Sequence, residues 1–181
     1  AVLEKIATTA GESQHLPVET AQQVIDFLRQ FADRCHHAKE EDLLFPALEA
    51  KGFPREGGPT GVMLYEHEQG RGLIGQMSQA LLDYSSQRED ALKQFCTNAQ
   101  QYVALLRQHI SKEDNILFVL AERTLAPEEL ARMSEDFEKA ERERVGEDVH
   151  ERYEKLAKEL LNGLGIDETS VPRSGDFFCC H

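Results

Sequence analysis

Two strings in the sequence hold residue types that could do chemistry. They are His36-His37-Ala38-Lys39-Glu40-Glu41-Asp42-Leu43-Leu44-Phe45-Pro46 and His109-Ile110-Ser111-Lys112-Glu113-Asp114-Asn115-Ile116-Leu117-Phe118. Each contains His-x-x-x-Glu and then Leu-Phe. Residues four apart on an α-helix lie one above the other. The spacing therefore pairs His37 with Glu41 and His109 with Glu113. Both pairs run on into apolar positions, Leu44 and Leu48 in one string, Ile116 and Leu120 in the other. A carboxylate on a core face is costly unless a cation answers it. A metal ion meets that need. Imidazole with carboxylate suits iron, zinc or manganese, and neither string holds a thiolate for a softer site.

A third histidine, His67, stands in Tyr65-Glu66-His67-Glu68-Gln69-Gly70-Arg71. Antiparallel packing would bring it against the other two strings. The candidate ligand set is then His37, Glu41, His67, His109 and Glu113. Five ligands serve one ion with water. They serve two only if both carboxylates bridge and further ligands join. One His-x-x-x-Glu is commonly a surface ion pair; two copies on bundle helices favour a metal. His36 and Glu40 read as turned away beside their neighbours, an outer or exchanging ligand role being the alternative. Lys39 and Lys112 read as solvent-facing, His15 as a loop residue and His150 as a surface residue. Tyr65 and Tyr102 either line a pocket or fill the core. Arg71, one turn past His67, either pairs with a carboxylate or faces solvent. Cys179-Cys180-His181 carries little signal.

These residues need long helices to hold them. Apolar positions at helical spacing predict helices over 1–9, 20–51, 60–84 and 86–123, and a charged helix over 127–162. Gly52, Pro54, Gly57, Gly58 and Pro59 break the second from the third. The expected class is all-α: an up-down four-helix bundle over 1–125, an additional helix packed on it over 126–162, and a tail over 163–181. The first helix is short beside its partners, which suggests that a segment before Ala1 is missing. The alternative is that the helix after Pro127 fills the vacancy.

Composition narrows the function. The 181 residues carry 33 Asp and Glu against 20 Lys and Arg, a formal charge of −13. Such a chain lacks the basic excess that neutralises nucleic-acid phosphates. No apolar run approaches a membrane span of ~18 residues. Four cysteines, two of them within helical patterns, fit a reducing cytosol better than a disulfide scaffold.

Together the three blocks, in this order, resemble the hemerythrin-like cation-binding domains, named for their His-His-Glu pattern. The resemblance covers roughly residues 1–140. It implies an up-down four-helix bundle with a non-haem di-iron centre, bridged by oxo, hydroxo or water. By resemblance, His37, His67 and His109 are terminal ligands, and Glu41 and Glu113 bridge. The family normally opens with a histidine on the first helix, and no residue before Ile6 supplies one. Arg71 stands where oxygen-carrying members place a second histidine. Mononuclear iron or zinc is therefore the alternative cofactor. The implied function is binding of dioxygen, nitric oxide or peroxide for sensing, storage or iron handling. The competing expectations are a di-iron enzyme reducing peroxide or nitric oxide, and a bundle with a structural cation. The expected partner is a small diatomic ligand, not nucleic acid or membrane. A homodimer or protein contact would use the C-terminal helix and tail.

Overall fold

A computed structural model describes residues 1–144, 147–167 and 169. Six helices are found among them, and no strand. Helix α1 is Val2–Ser13. Helix α2 runs over 18–50, from Val18–Phe27 through altered turns at Leu28–His37 and Glu40–Leu44 to Phe45–Ala50. Helix α3 is Pro59–Ser85. Helix α4 runs over 91–124 and joins Ala91–Lys112 to Phe118–Thr124 through Glu113–Leu117. Helices α5 and α6 are Pro127–Arg144 and Glu147–Gly163. The single helix expected over 127–162 is thus described as two stretches. Helix α1 also runs past Gly11; it stops at Gln14, which takes a left-handed conformation.

The break between α2 and α3 follows from its glycines and prolines. Gly52 and Gly57 adopt φ of 95° and 73°, which side chains with a Cβ resist. Pro59 then opens α3, where its fixed φ suits the first turn. Gly61 is tighter still: a Cβ there would press into the backbone oxygen of Arg55. Gly61→Ala should therefore destabilise by ~1–3 kcal/mol. Gly72, exposed in mid-α3 with open space at its Cβ, should behave oppositely, Gly72→Ala gaining up to ~1 kcal/mol. Thermal melts of the two variants check the signs.

Three long helices each cross the same layers. One apolar layer holds Val24, Ile25 and Leu28 of α2, Ile74, Met77 and Leu81 of α3, and Phe95, Ala99 and Tyr102 of α4. A second holds Leu44, Phe45 and Leu48 of α2, Met63 of α3, and Leu117, Phe118 and Ala121 of α4. Between them each helix buries polar side chains: His37 and Glu40 on α2, His67 on α3, and His109 and Glu113 on α4. The layers appear in reverse order along α3, so the helices alternate in direction, the up-down arrangement expected. The fourth side is shared. Leu3, Ile6, Ala7 and Ala10 of α1 join the first layer, whereas Met133 and Phe137 of α5 join the second. Helix α6 adds Leu160 to the first layer, and its Tyr153 hydroxyl donates to Asp26 of α2 at 2.8 Å. None of the described helices is long and apolar enough to cross a membrane.

Candidate metal centre

Helical hydrogen bonding changes at the polar layer. The N–H of Ala38 reaches the carbonyl of Asp33, that of Phe45 reaches Glu40, and that of Phe118 reaches Glu113. Each bond spans five residues rather than four, the π-helical pattern that concentrates at functional sites. A wider turn rotates the side chains that follow it away from their α-helical positions. Stacking by fours therefore fails in α2. Glu40 turns inward and is 1% exposed, while Glu41 sits at the rim. The same happens in α4, where Leu117 and Ala121 enter the core and Ile116 is 52% exposed.

The inward residues converge. One ligand atom from each of Glu40, His67, His109 and Glu113 lies within 4.8 Å of the other three, and His37, His67 and His109 form a second such set. All five are buried. His67 Nε2 is 3.3 Å from Glu40 Oε2, and His109 Nε2 is 2.9 Å from Glu113 Oε1. The ring of His37 stacks on that of His67 at 3.9 Å, and the His109 ring meets His67 edge-on at 4.9 Å. His36 Nε2 approaches Glu113 Oε1 at 3.4 Å and Glu40 Oε1 at 4.0 Å. The ring of Phe45 closes the second-layer side, 5.8 Å from His67.

These groups fit a cation better than they fit one another. Both oxygens of Glu40, and Nε2 of His67 and of His109, make no aligned hydrogen bond despite their burial and closeness. Unpaired inward atoms of this kind are expensive and call for a missing partner. Two carboxylates with several imidazoles form a nitrogen–oxygen donor set suited to iron, zinc or manganese.

On their outer side the imidazoles face carboxylates. His67 Nδ1 pairs with Glu41 Oε1 at 2.7 Å and His109 Nδ1 with Glu66 Oε2 at 3.0 Å. His37 Nδ1 is 3.5 Å from Asp33 Oδ1. Lys112 pairs with Glu66, and Arg71 with both Glu41 and Asp33. Charge follows geometry. Burial lowers the pKa of His37 to about 4, with the crowding imidazoles adding to that and Asp33 opposing it. Burial acts the same way on His67, but Glu40 and Glu41 overcome it and raise that pKa. Burial works against ionising Glu113, yet His109 and His36 hold its carboxyl well below the usual range.

Of the residues singled out from sequence, His37, His67, His109 and Glu113 are brought together; Glu41 is not, because of the π turn before it. Lys39 is buried, contrary to expectation, and donates to Glu141 of α5 at 2.8 Å beside the Phe137 ring. Lys112 turns to Glu66 rather than to open solvent. Tyr65 is 66% exposed, whereas Tyr102 fills the core with its hydroxyl unpaired. His15 is exposed in the α1–α2 link. Among the described residues neither Cys35 nor Cys96 is in a disulfide, and Cys35 is buried. The side chain of His150, and Cys179, Cys180 and His181, lie outside the described residues. Glu40 and His36 were passed over, although the sequence carries their signal. Counting back from the phenylalanine, Phe45 leads to Glu40 and His36 by the same steps that lead from Phe118 to Glu113 and His109.

Residues 1–121, which include every member of the cluster, match the family described as the hemerythrin HHE cation-binding domain. This chain belongs to that family. The hemerythrin bundle of the family accords with the all-α architecture above. Similar chains occur in Mycobacterium bovis and in two strains of Mycobacterium tuberculosis, each described as an uncharacterized protein and 24% identical over 154 residues. The alignment takes in 85% of this hemerythrin-family chain and 60% of each relative's length. No solved structure matches the chain significantly.

Proposed function

We propose that this chain is a non-haem iron protein that binds dioxygen, nitric oxide or peroxide, in sensing, storage or iron handling. The observation that carries the reading is the buried set Glu40, His67, His109 and Glu113, in which both Glu40 oxygens and Nε2 of His67 and His109 make no aligned hydrogen bond. Those four residues would hold the iron, with His37 and His36 beside them to hold a second ion. Bound iron would supply an open coordination position and a reversible ferrous–ferric couple. The protein's part is to hold the donors in place, to keep Nε2 free on the imidazoles, and to exclude water by the two apolar layers.

Elemental analysis of anaerobically purified protein, followed by absorption spectra under dioxygen and nitric oxide, tests this. Two irons per chain with a reversible ligand-dependent band are expected. Zinc alone, or no metal, would overturn the iron reading.

Metal uptake should also depend on pH in one direction. The raised pKa of His67 in the metal-free protein means that a proton must leave when an ion binds. His37 is already neutral and adds no such cost. Affinity should climb with pH while His67 is protonated, and that contribution should level off above its pKa. Zinc titrations between pH 5.5 and 8.5 give the slope; a flat profile would contradict it.

A further inference from the structure

The guanidinium of Arg71 touches three carboxylates. Its Nε donates to Asp33 Oδ1 at 2.8 Å, its Nη2 to Glu41 Oε1 at 2.6 Å and its Nη1 to Glu68 Oε1 at 2.7 Å. Two of these acceptors are the groups that face His37 Nδ1 and His67 Nδ1. One side chain on α3 is therefore joined in series to two imidazoles, one on α2 and one on its own helix. We propose that Arg71 is the positioning residue of the centre, fixing the tautomer and aim of His67 through Glu41 and holding Asp33 beside His37. The inference rests on the metal reading above.

The physical argument has three parts. First, an imidazole whose Nδ1–H is engaged by a carboxylate presents a bare Nε2, and outer partners of this kind govern how well a histidine binds metal. His67 Nε2 is oriented inward, 3.3 Å from Glu40 Oε2 but in no aligned hydrogen bond. Second, a planar guanidinium has donors in a fixed fork, so it can hold two carboxylates from different turns at set positions. Lysine offers one point charge and cannot span them in the same way. Third, Glu40 and Glu41 are adjacent and chemically alike, yet only Glu40 enters the cluster. Glu41 Oε1 is occupied by both His67 and Arg71. Arg71 thus holds Glu41 at the rim, where the π turn has placed it. His109 has its own support, Glu66 with Lys112, which does not involve Arg71.

The test uses cobalt(II) as the probe on the full chain, reading affinity and d–d bands, with far-UV circular dichroism melts of the metal-free protein. Arg71→Met should bind about 10–100-fold more weakly than the unaltered chain, with shifted bands, the range seen when an outer partner is lost. Arg71→Lys should recover only part of this. Glu41→Gln should move the affinity and the bands in the same direction. Affinity within twofold and unchanged bands in a folded Arg71→Met protein would overturn the proposal. So would weaker binding accompanied by a lower melting temperature and unchanged bands, which would mark Arg71 as a support of the fold alone. If Arg71→Met does not fold, Glu41→Gln decides by the same criteria. Absence of cobalt binding by the unaltered chain would instead strike at the metal reading itself.

Discussion

Glu40→Ala should lose its metal, while Glu41→Ala should keep its metal at reduced affinity. The two glutamates are neighbours, but the π turn sends them to different places. Glu40 is buried with neither oxygen hydrogen-bonded. Removing it takes away one of four converging donors, and the affinity loss should exceed the ~100-fold ceiling of outer-partner changes. Glu41 pairs with His67 and Arg71 at the rim. Its loss should weaken binding by ~10–100-fold without altering the number of ions. Metal analysis after dialysis separates the two. Metal retained by Glu40→Ala and lost by Glu41→Ala would reverse the assignment.

Phe45→Ala should be among the most damaging single changes to the fold. Phe45 is fully buried in the second apolar layer, and truncating such a ring costs ~3–5 kcal/mol through lost burial and the cavity left behind. For a chain of this size that lowers the melting temperature by roughly 6–20 °C. Phe95, equally buried in the first layer, should cost about as much. The pair differ at the centre. Phe45 lies against His67, so its loss should also admit water and weaken metal binding. Phe95→Ala should leave affinity unchanged. Equal affinity losses in both variants would mean that loss of fold stability, not contact with His67, sets the effect.

Much of this was legible in the sequence. Helical periodicity placed the three long helices, and the breakers from Gly52 to Pro59 marked their boundary. The three blocks brought His67 and His109 together with Glu113. What failed was the choice between Glu40 and Glu41, and between Ile116 and Leu117. Both errors have one cause. Stacking by fours assumes unbroken α-helix, and the chain leaves that geometry at the residues of interest. Periodicity within either string could not reveal the change; comparison of the two strings, aligned on Phe45 and Phe118, could have. Lys39 was misplaced for a different reason. Its partner Glu141 lies far along the chain on α5, and local pattern carries no information about a helix that arrives later.

The wide turns of α2 and α4 also set how this domain can change by insertion and deletion. A single residue removed near Leu28–His37 could be absorbed by a return to ordinary α-helical pairing. Such a deletion would keep the helix continuous and its length nearly intact. The narrower turn offsets the lost residue's share of a helical turn, about 100°, so everything beyond it keeps its facing. Glu40, Leu44 and Phe45 would stay in their layers, and only side chains within the turn would be re-aimed. Length change in these stretches therefore reaches the site while sparing the layers and the helix.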